Sequence, residues 1–542
     1  MKIESNEVLE LCFHAQNPDP DPYNRTGFHA VFQGPEGQPL RIPGFWAGKN
    51  KWCLRFASHS QGLYRYETFC SDATDKGLHG HRGTVTVTPA RGNTSLCVHG
   101  PLQAMGGGHT LSHADGTPFL WLGDTWWMGL TTRLSWPKGF RELLADRVEK
   151  GFTVVQMVMG LYPDMEPFDP KGANEAGFPF EHDFTTINPF YFDHADKKIS
   201  ALAEAGLVPC LVACWGFFIK YMGVKAIKKY WEYLIARYGA YPVVWCLAGE
   251  AVMPFYLDEA FSDKKLHAAY VRRTRRAWTG IAAHVQKHDP YRRVLTIHPT
   301  DYGRRMVDDD SLLDMEMLQT GHGGFMSLEP SVSMLEKALR KTPSMPVVNS
   351  EVCYEGICGS NHADVQRFLY WSCMLSGSAG YTYGANGIWQ LNSREQPYGP
   401  SPHGASWGDT PWEEACHLPG SLQIGLAKEL LMKYEWWKFK PHPEWVDMPP
   451  GKRKSAFRCY SSGIPGKVRV MFIPFFAGMG WQFTLAGLEP GSLYKAWFFD
   501  PLTGDWVDQG TASPDTSGKW TTGKIHKFQD WVVVLEAQKG NE

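Results

Sequence analysis

The sequence predicts a multidomain α/β plus all-β protein, a (β/α)8 TIM barrel flanked by two β-sandwich domains. Three observations predict it. Between about residues 115 and 435, eight short apolar runs alternate with amphipathic segments of helical period. Runs that stay apolar, with no polar alternation, suit parallel strands buried on both faces. On either side, short β-branched and aromatic runs are punctuated by Gly, Pro, Asn and Asp, the pattern of small sandwiches. A doubly wound open sheet is the alternative fold, but the chain carries no G-x-G-x-x-G or Walker-type phosphate turn.

Residues 1–98 are expected to form the first sandwich, with strands at Leu9–His14, Gly27–Gln33, Trp52–Ala57, Gly62–Thr68 and Gly83–Thr88. Residues 99–446 hold the barrel. Its strands are expected at Phe119–Gly123, Thr153–Met159, Val208–Cys214, Val243–Ala248, Val294–His298, Leu313–Leu318, Val347–Ser350 and Ala379–Tyr383. In the first helix Phe140, Leu143, Leu144 and Val148 share one face, and Gly151 follows as a natural C-terminal stop. Further helices are expected at Ala195–Ala205, around Ile227–Tyr238, and at Leu266–Val285, Val332–Leu339, Val365–Leu375 and Leu422–Leu431. No long helix is expected between the fifth and sixth strands. Residues 447–542 return to β patterning and predict a second sandwich.

The 542 residues carry 54 basic and 56 acidic side chains, a formal charge of −2. That balance supplies no basic field for nucleic acid. No apolar stretch is long enough to span a bilayer. The N-terminus has no apolar core of a secretory signal. Twelve cysteines lie mostly within apolar runs and form no C-x-x-C, as expected of reduced thiols in the cytoplasm. His79-Gly80-His81 lacks a third ligand nearby, so no metal and no other cofactor is expected. The sequence leaves a homo-oligomer open. The 22 Trp, 22 Tyr and 30 Phe mostly fill core, yet their flat faces also match the apolar face of a sugar ring.

Barrel active sites lie where the strands end, so the residues ending each run are the candidates. The first run reaches Asp124, followed by Trp126 and Trp127; the second contains Gln156; the third reaches Trp215. The fourth ends on Glu250, the fifth on His298, and the sixth on Gln319 with His322 behind it. The seventh ends on Glu351, and the eighth reaches Tyr383, Asn386 and Trp389. Glu250 and Glu351 stand out, because ends of the fourth and seventh strands face each other across a closed barrel. Glycoside hydrolysis needs such a pair, one protonated and one ionised. Each Glu taken singly fits an ion-paired loop residue equally well, and Glu355 competes for the strand-seven role. Asp124 either anchors a substrate hydroxyl or caps the following helix. The tryptophans either stack on sugar or pack. His298 and His322 either bond the nucleophile or the sugar, or are structural.

Several segments resemble the apiosidase-like glycoside hydrolases. They are Phe119–Trp127, Ile187–Phe192 with Gly206–Pro209, Tyr241–Glu250, and Pro346–Glu351 with Tyr354-Glu355-Gly356. Ile42–Trp46, Trp52–Phe56 and Gly62–Tyr66 are similar to the β-sandwich that often precedes these barrels (the DUF5060 type), and Ala496–Pro501 to the β-domain that often follows. The resemblance implies exo-acting hydrolysis of plant-type glycans, with Glu250 as acid/base and Glu351 as nucleophile. Members often carry Asp where this chain has Glu250, a difference of one methylene in reach. The expectation is an exo-glycosidase releasing a terminal sugar from oligosaccharides, its pocket shaped by Asp124, Trp126, Trp127, Gln156, Trp215, His298, Gln319, His322, Tyr383, Asn386 and Trp389. A non-catalytic carbohydrate-binding protein on the same scaffold, or a transglycosylase, is the alternative.

Overall fold

The computed structural model describes residues 1–35, 37–104, 108–404, 406–449 and 451–538. Its centre is an eight-stranded parallel sheet curled into a barrel. The strands are β1 (Trp121–Thr125), β2 (Val154–Val158), β3 (Val208–Val212), β4 (Val244–Cys246), β5 (Leu295–Thr296), β6 (Glu316–Gln319), β7 (Val347–Glu351) and β8 (Gly380–Tyr383). Every one of their residues is buried except Gln319, at the end of β6, as the unbroken apolar runs require. Neighbours pair in order from β5 back to β1 and on through β8, β7 and β6. The β5–β6 seam closes differently. Asp314 N–H donates to Leu295 O at 2.9 Å, Leu295 N–H donates to the Asp314 carboxylate at 2.8 Å, and the Thr296 hydroxyl donates to Met315 O at 2.8 Å.

Helices α1 (Lys138–Glu149), α2 (Pro189–Glu204), α3 (Phe218–Tyr238), α4 (Lys264–His288), α5 (Phe325–Leu339), α6 (Ala363–Leu375) and α7 (Pro419–Met432) surround the strands. Between β5 and β6 only the short turns Gly303–Met306 and Asp310–Leu312 occur, in line with the missing helical period there.

The N-terminal domain is a seven-stranded sheet folded over itself, six strands antiparallel and Lys2–Glu4 in parallel at one edge. Pro39–Trp46 does the folding: residues 39–43 pair with Phe28–Gln33, and residues 44–46 turn to pair with Lys51–Phe56. That strand and Lys2–Glu4 lacked a clear strand signal of their own. A three-stranded meander, Leu102–Ala104, Leu111–His113 and Pro118–Phe119, leads into β1. The C-terminal domain pairs six strands from Lys440–Pro441 to Trp531–Ala537, plus a two-stranded ribbon. Residues 440–446 therefore run with this domain, and Trp506–Ala512 is a strand the patterning did not signal.

The thiols depart from expectation at one place. Cys12 and Cys53 stand directly opposite in antiparallel register, with Cα atoms 4.1 Å apart, and form a disulfide. Opposition of two strands is invisible to spacing in the chain. The remaining ten cysteines are free, most of them buried. No helix among the described residues is long and apolar enough to cross a membrane.

A buried ion network docks the N-terminal sandwich on the barrel. Arg55 of the sandwich and Arg237 of α3 both grip Asp196 of α2. Arg55 also donates to Arg237 O at 2.8 Å. Burial pushes the Asp196 carboxyl up, but the two guanidinium groups reverse this and hold it below its ordinary range. Removing one partner of such a network strands the others in low dielectric, at a cost of about 3–5 kcal/mol. Asp196→Ala is therefore expected to lower unfolding stability by about 3 kcal/mol, measured by chemical denaturation; a loss under about 0.5 kcal/mol would mean solvent already screens the cluster.

Candidate active site

Glu250 and Glu351 leave the ends of β4 and β7 and meet in one cavity of about 400 Å³, within the range of small-molecule sites. The Gln319 side-chain amide lies between them, donating to Glu250 Oε1 at 3.0 Å and lying 3.3 Å from Glu351 Oε1. Those two oxygens can be no farther apart than the two contacts placed end to end, about 6.3 Å. If each takes its own amide hydrogen, the 120° spread of the N–H bonds puts them at about 5.5 Å.

Glu250 needs local backbone help. Its φ is +42°, a left-handed conformation uncommon for a residue other than glycine. Gly216 N–H donates to Gly249 O at 2.7 Å, and Gly249 N–H donates to Cys214 O at 2.9 Å, so the segment is fixed to the end of β3. The Trp215 ring packs against Gly249, where a Cβ would come within 2.2 Å of the ring. In that position the indole N–H donates to Glu250 Oε2 at 3.0 Å. The glycine of Ala-Gly-Glu thus makes room for the ring that aims the acid.

The environments of the two carboxyls differ in sign. Burial, reinforced by the neighbouring Glu351 charge, pushes Glu250 up to about 7. Burial also acts on Glu351, but His298 and His322 more than reverse it and hold that carboxyl well below its usual range. His298 Nε2 lies 3.0 Å from Glu351 Oε2, and His322 Nε2 lies 2.9 Å from Oε1. Contact with this carboxylate in turn outweighs burial at His322 and raises its pKa. The two carboxyls are thus pushed in opposite directions, the pattern by which paired carboxyls take different protonation states.

The cavity walls come from loops far apart in the chain. Trp127, Trp215, Gln319, His322 and Trp389 line it, as do Asp164, Tyr256, Tyr354, His403 and Trp407. Asp164, after β2, accepts from the Tyr256 hydroxyl at 2.7 Å and from the Trp407 indole at 3.2 Å, and also bonds Ser401. Loops following β2, β4 and β8 are thereby tied together beside the carboxylates. Tyr354 stacks toward Trp389, with ring centroids 6.3 Å apart, and accepts from the Trp127 indole at 3.2 Å. Asp164, Tyr256, His403 and Trp407 lie in irregular segments and gave no sequence signal beyond residue type.

Other candidates lie outside the cavity. Asp124 is fully buried; its Oδ2 accepts from Arg147 at 2.6 Å and from the Trp126 indole at 2.7 Å. It pins α1 to β1 and neither touches the cavity nor caps a helix. Trp126 packs edge-on against Phe140. The Gln156 amide donates to Ser350 O at 3.0 Å, and the Asn386 side chain accepts from Gln390 at 2.9 Å. The Tyr383 hydroxyl donates to Glu355 Oε2 at 2.6 Å, and Gly420 N–H donates to Glu355 Oε1 at 3.1 Å. Glu355 is thus committed to the scaffold behind β8. His298 is fully buried behind the cavity, against Glu351 and the rings of Trp127 and Trp215.

The barrel, the loops at its C-terminal mouth and the paired carboxylates define a glycosidase. The model of the apiosidase-like catalytic domain matches residues 106–438 and that of DUF5060, a domain of unknown function, matches residues 2–71. The chain belongs to the apiosidase-like family. Similar solved structures include one described simply as a glycoside hydrolase, at 20% identity and TM-score 0.64, covering 83% of this chain and all of the other. A family 5 glycoside hydrolase from Bacteroides vulgatus ATCC 8482 aligns at 20% identity and TM-score 0.65, over 81% of this chain and 94% of its own. Another protein from that organism, provisionally described as a glycoside hydrolase, aligns at 19% identity and TM-score 0.69 over 99% of this chain and all of its own. At such identities these likenesses concern the fold. No curated protein matches the chain.

The pKa pattern sets a pH window. A general acid at Glu250 is protonated below about pH 7 and loses its proton as pH rises through that value. Glu351 stays ionised well below the ordinary carboxylate range. Accordingly kcat/KM should hold a plateau on the acid side of neutrality and fall above about pH 7. Replacing His322 by Ala should move the acid edge of that profile upward, because Glu351 loses a stabilising contact; an unmoved edge would remove His322 from the charge balance.

Proposed function

We propose that the protein is an exo-acting, retaining glycosidase that removes a terminal, uncharged sugar from plant-type oligosaccharides. The observation that carries this reading is the shared amide of Gln319, which keeps the two carboxylate oxygens within about 6.3 Å. Retaining enzymes hold their carboxyls about 5–5.5 Å apart, and inverting ones about 6.5–9.5 Å, leaving room for a water.

Glu250 would give its proton to the glycosidic oxygen as Glu351 attacks the anomeric carbon, so that the glycosidic bond breaks and an ester to Glu351 forms. Esterification removes the Glu351 charge, which is one of the two causes keeping Glu250 protonated. The acidity of Glu250 therefore rises at the moment it has to become a base. It then takes a proton from water, which attacks the same carbon and frees Glu351.

The lining supports the sugar assignment. Asp164, Glu250 and Glu351 face the cavity with no Lys or Arg among its described lining residues, and His322 is already paired with Glu351, so an anionic ring would meet net repulsion. Gln319 Oε1 and Trp389 Nε1 are buried polar atoms with no protein partner, one an acceptor and one a donor; sugar hydroxyls can satisfy both. The ties at Asp164 close the walls into a pocket suited to a chain end.

Sugar release from plant oligosaccharides and aryl glycosides, run on wild type, Glu250→Gln and Glu351→Gln, tests this. Glu250→Gln should lose about 10²–10⁴ in rate on poor leaving groups and much less on activated aryl glycosides. Glu351→Gln should be inactive on both, and the first product seen by NMR should keep the substrate's anomeric configuration. An inverted product would reject the nucleophile role of Glu351, and preferential release of uronic acids would reject the uncharged-sugar reading.

A further inference from the structure

Away from the mouth, α3 and α4 bring together a second set of ligand-type side chains. His284 and His288 stand four residues apart near the end of α4 and so share one face. Glu232 stands on the neighbouring α3. One donor atom from each of the three lies within 4.8 Å of the other two. His284 Nε2 is 3.1 Å from Glu232 Oε1, and the two imidazole rings are 4.0 Å apart between centroids. His288 Nδ1 donates to the His284 carbonyl at 2.8 Å, which leaves Nε2 with the lone pair. A ring N–H fixed on a carbonyl is the usual way a metal-binding histidine is oriented.

We propose that Glu232, His284 and His288 form a site for a divalent transition metal, with zinc the fitting ion, that clips α3 to α4. Two imidazoles and a carboxylate match the ligand preferences of zinc at bonds of about 2.0–2.2 Å, with water completing the tetrahedron. All three side chains are partly exposed, so the ion can enter from solvent and only rotamer adjustment is needed to close on it. Lys229 lies 3.2 Å from Glu232 Oε2 and competes for that carboxylate; about a third of its side chain is exposed, so it can turn to water.

The other two such groups among the described residues are already engaged. Cys12 and Cys53 beside Glu10 form the disulfide, and Asp146 beside Cys416 and His417 is held by Arg147 and Lys150. The proposed site sits where α4 ends before β5 begins, at the end of the barrel opposite the catalytic carboxylates. It borders the 730 Å³ cleft under the N-terminal sandwich, which Glu232 and His288 line. Its role is therefore structural, independent of hydrolysis.

The test is calorimetric titration of the EDTA-stripped full chain with zinc chloride, with Tm followed in parallel. Cys358→Ser is included throughout to remove the exposed free thiol. One zinc per chain and a higher Tm are expected. His288→Ala and Glu232→Gln should each weaken binding at least roughly tenfold and abolish the Tm rise. Circular dichroism and sugar release should remain those of the parent, showing that the variants fold. No saturable binding to the parent, or equal binding by both variants, would overturn the proposal.

Discussion

Two carboxyl groups share one cavity at the barrel mouth, close enough that each charge raises the cost of ionising the other. Only one can stay ionised near neutrality, and the surrounding residues decide which. His298 and His322 fix the charge on Glu351. Glu250, bonded by an indole and an amide with no cation in contact, holds its proton up to about pH 7. Gln319 serves both groups from one nitrogen and so limits their spacing.

The rest of the barrel mouth can be understood as support for that arrangement. Gly249 admits the Trp215 ring, and the backbone bonds to the end of β3 hold Glu250 in its left-handed turn. Behind the strands Asp124 with Arg147 and Tyr383 with Glu355, and within the barrel Gln156 with the Ser350 carbonyl, satisfy polar groups that carry no solvent exposure to speak of. An unpaired partner in any of these would cost more than the bond contributes, which is why strand-end polar residues can be indispensable without touching a substrate.

The architecture was legible because barrel strands and helices announce themselves by period. The β4 and β7 carboxylates were legible for a related reason: a residue that ends an apolar run must lie at the mouth. The same rule over-reached at Asp124, Gln156, Tyr383 and Asn386, whose side chains are buried and bonded to other parts of the scaffold. It missed Asp164, Tyr256, His403 and Trp407, which sit in loops with no period to read.

By itself, then, the sequence determined the order of strands and helices, the two flanking β-domains, and which glutamates stand at opposite sides of the mouth. These follow from local periodicity and from the symmetry of a closed eight-strand sheet. The tertiary structure alone decided which strand-end residues face the cavity, that Cys12 and Cys53 are opposed, and which of the two glutamates holds a proton more tightly. Each of those depends on register, side-chain direction or the summed field of residues from distant segments, and none of these quantities is encoded in the spacing of residues along the chain.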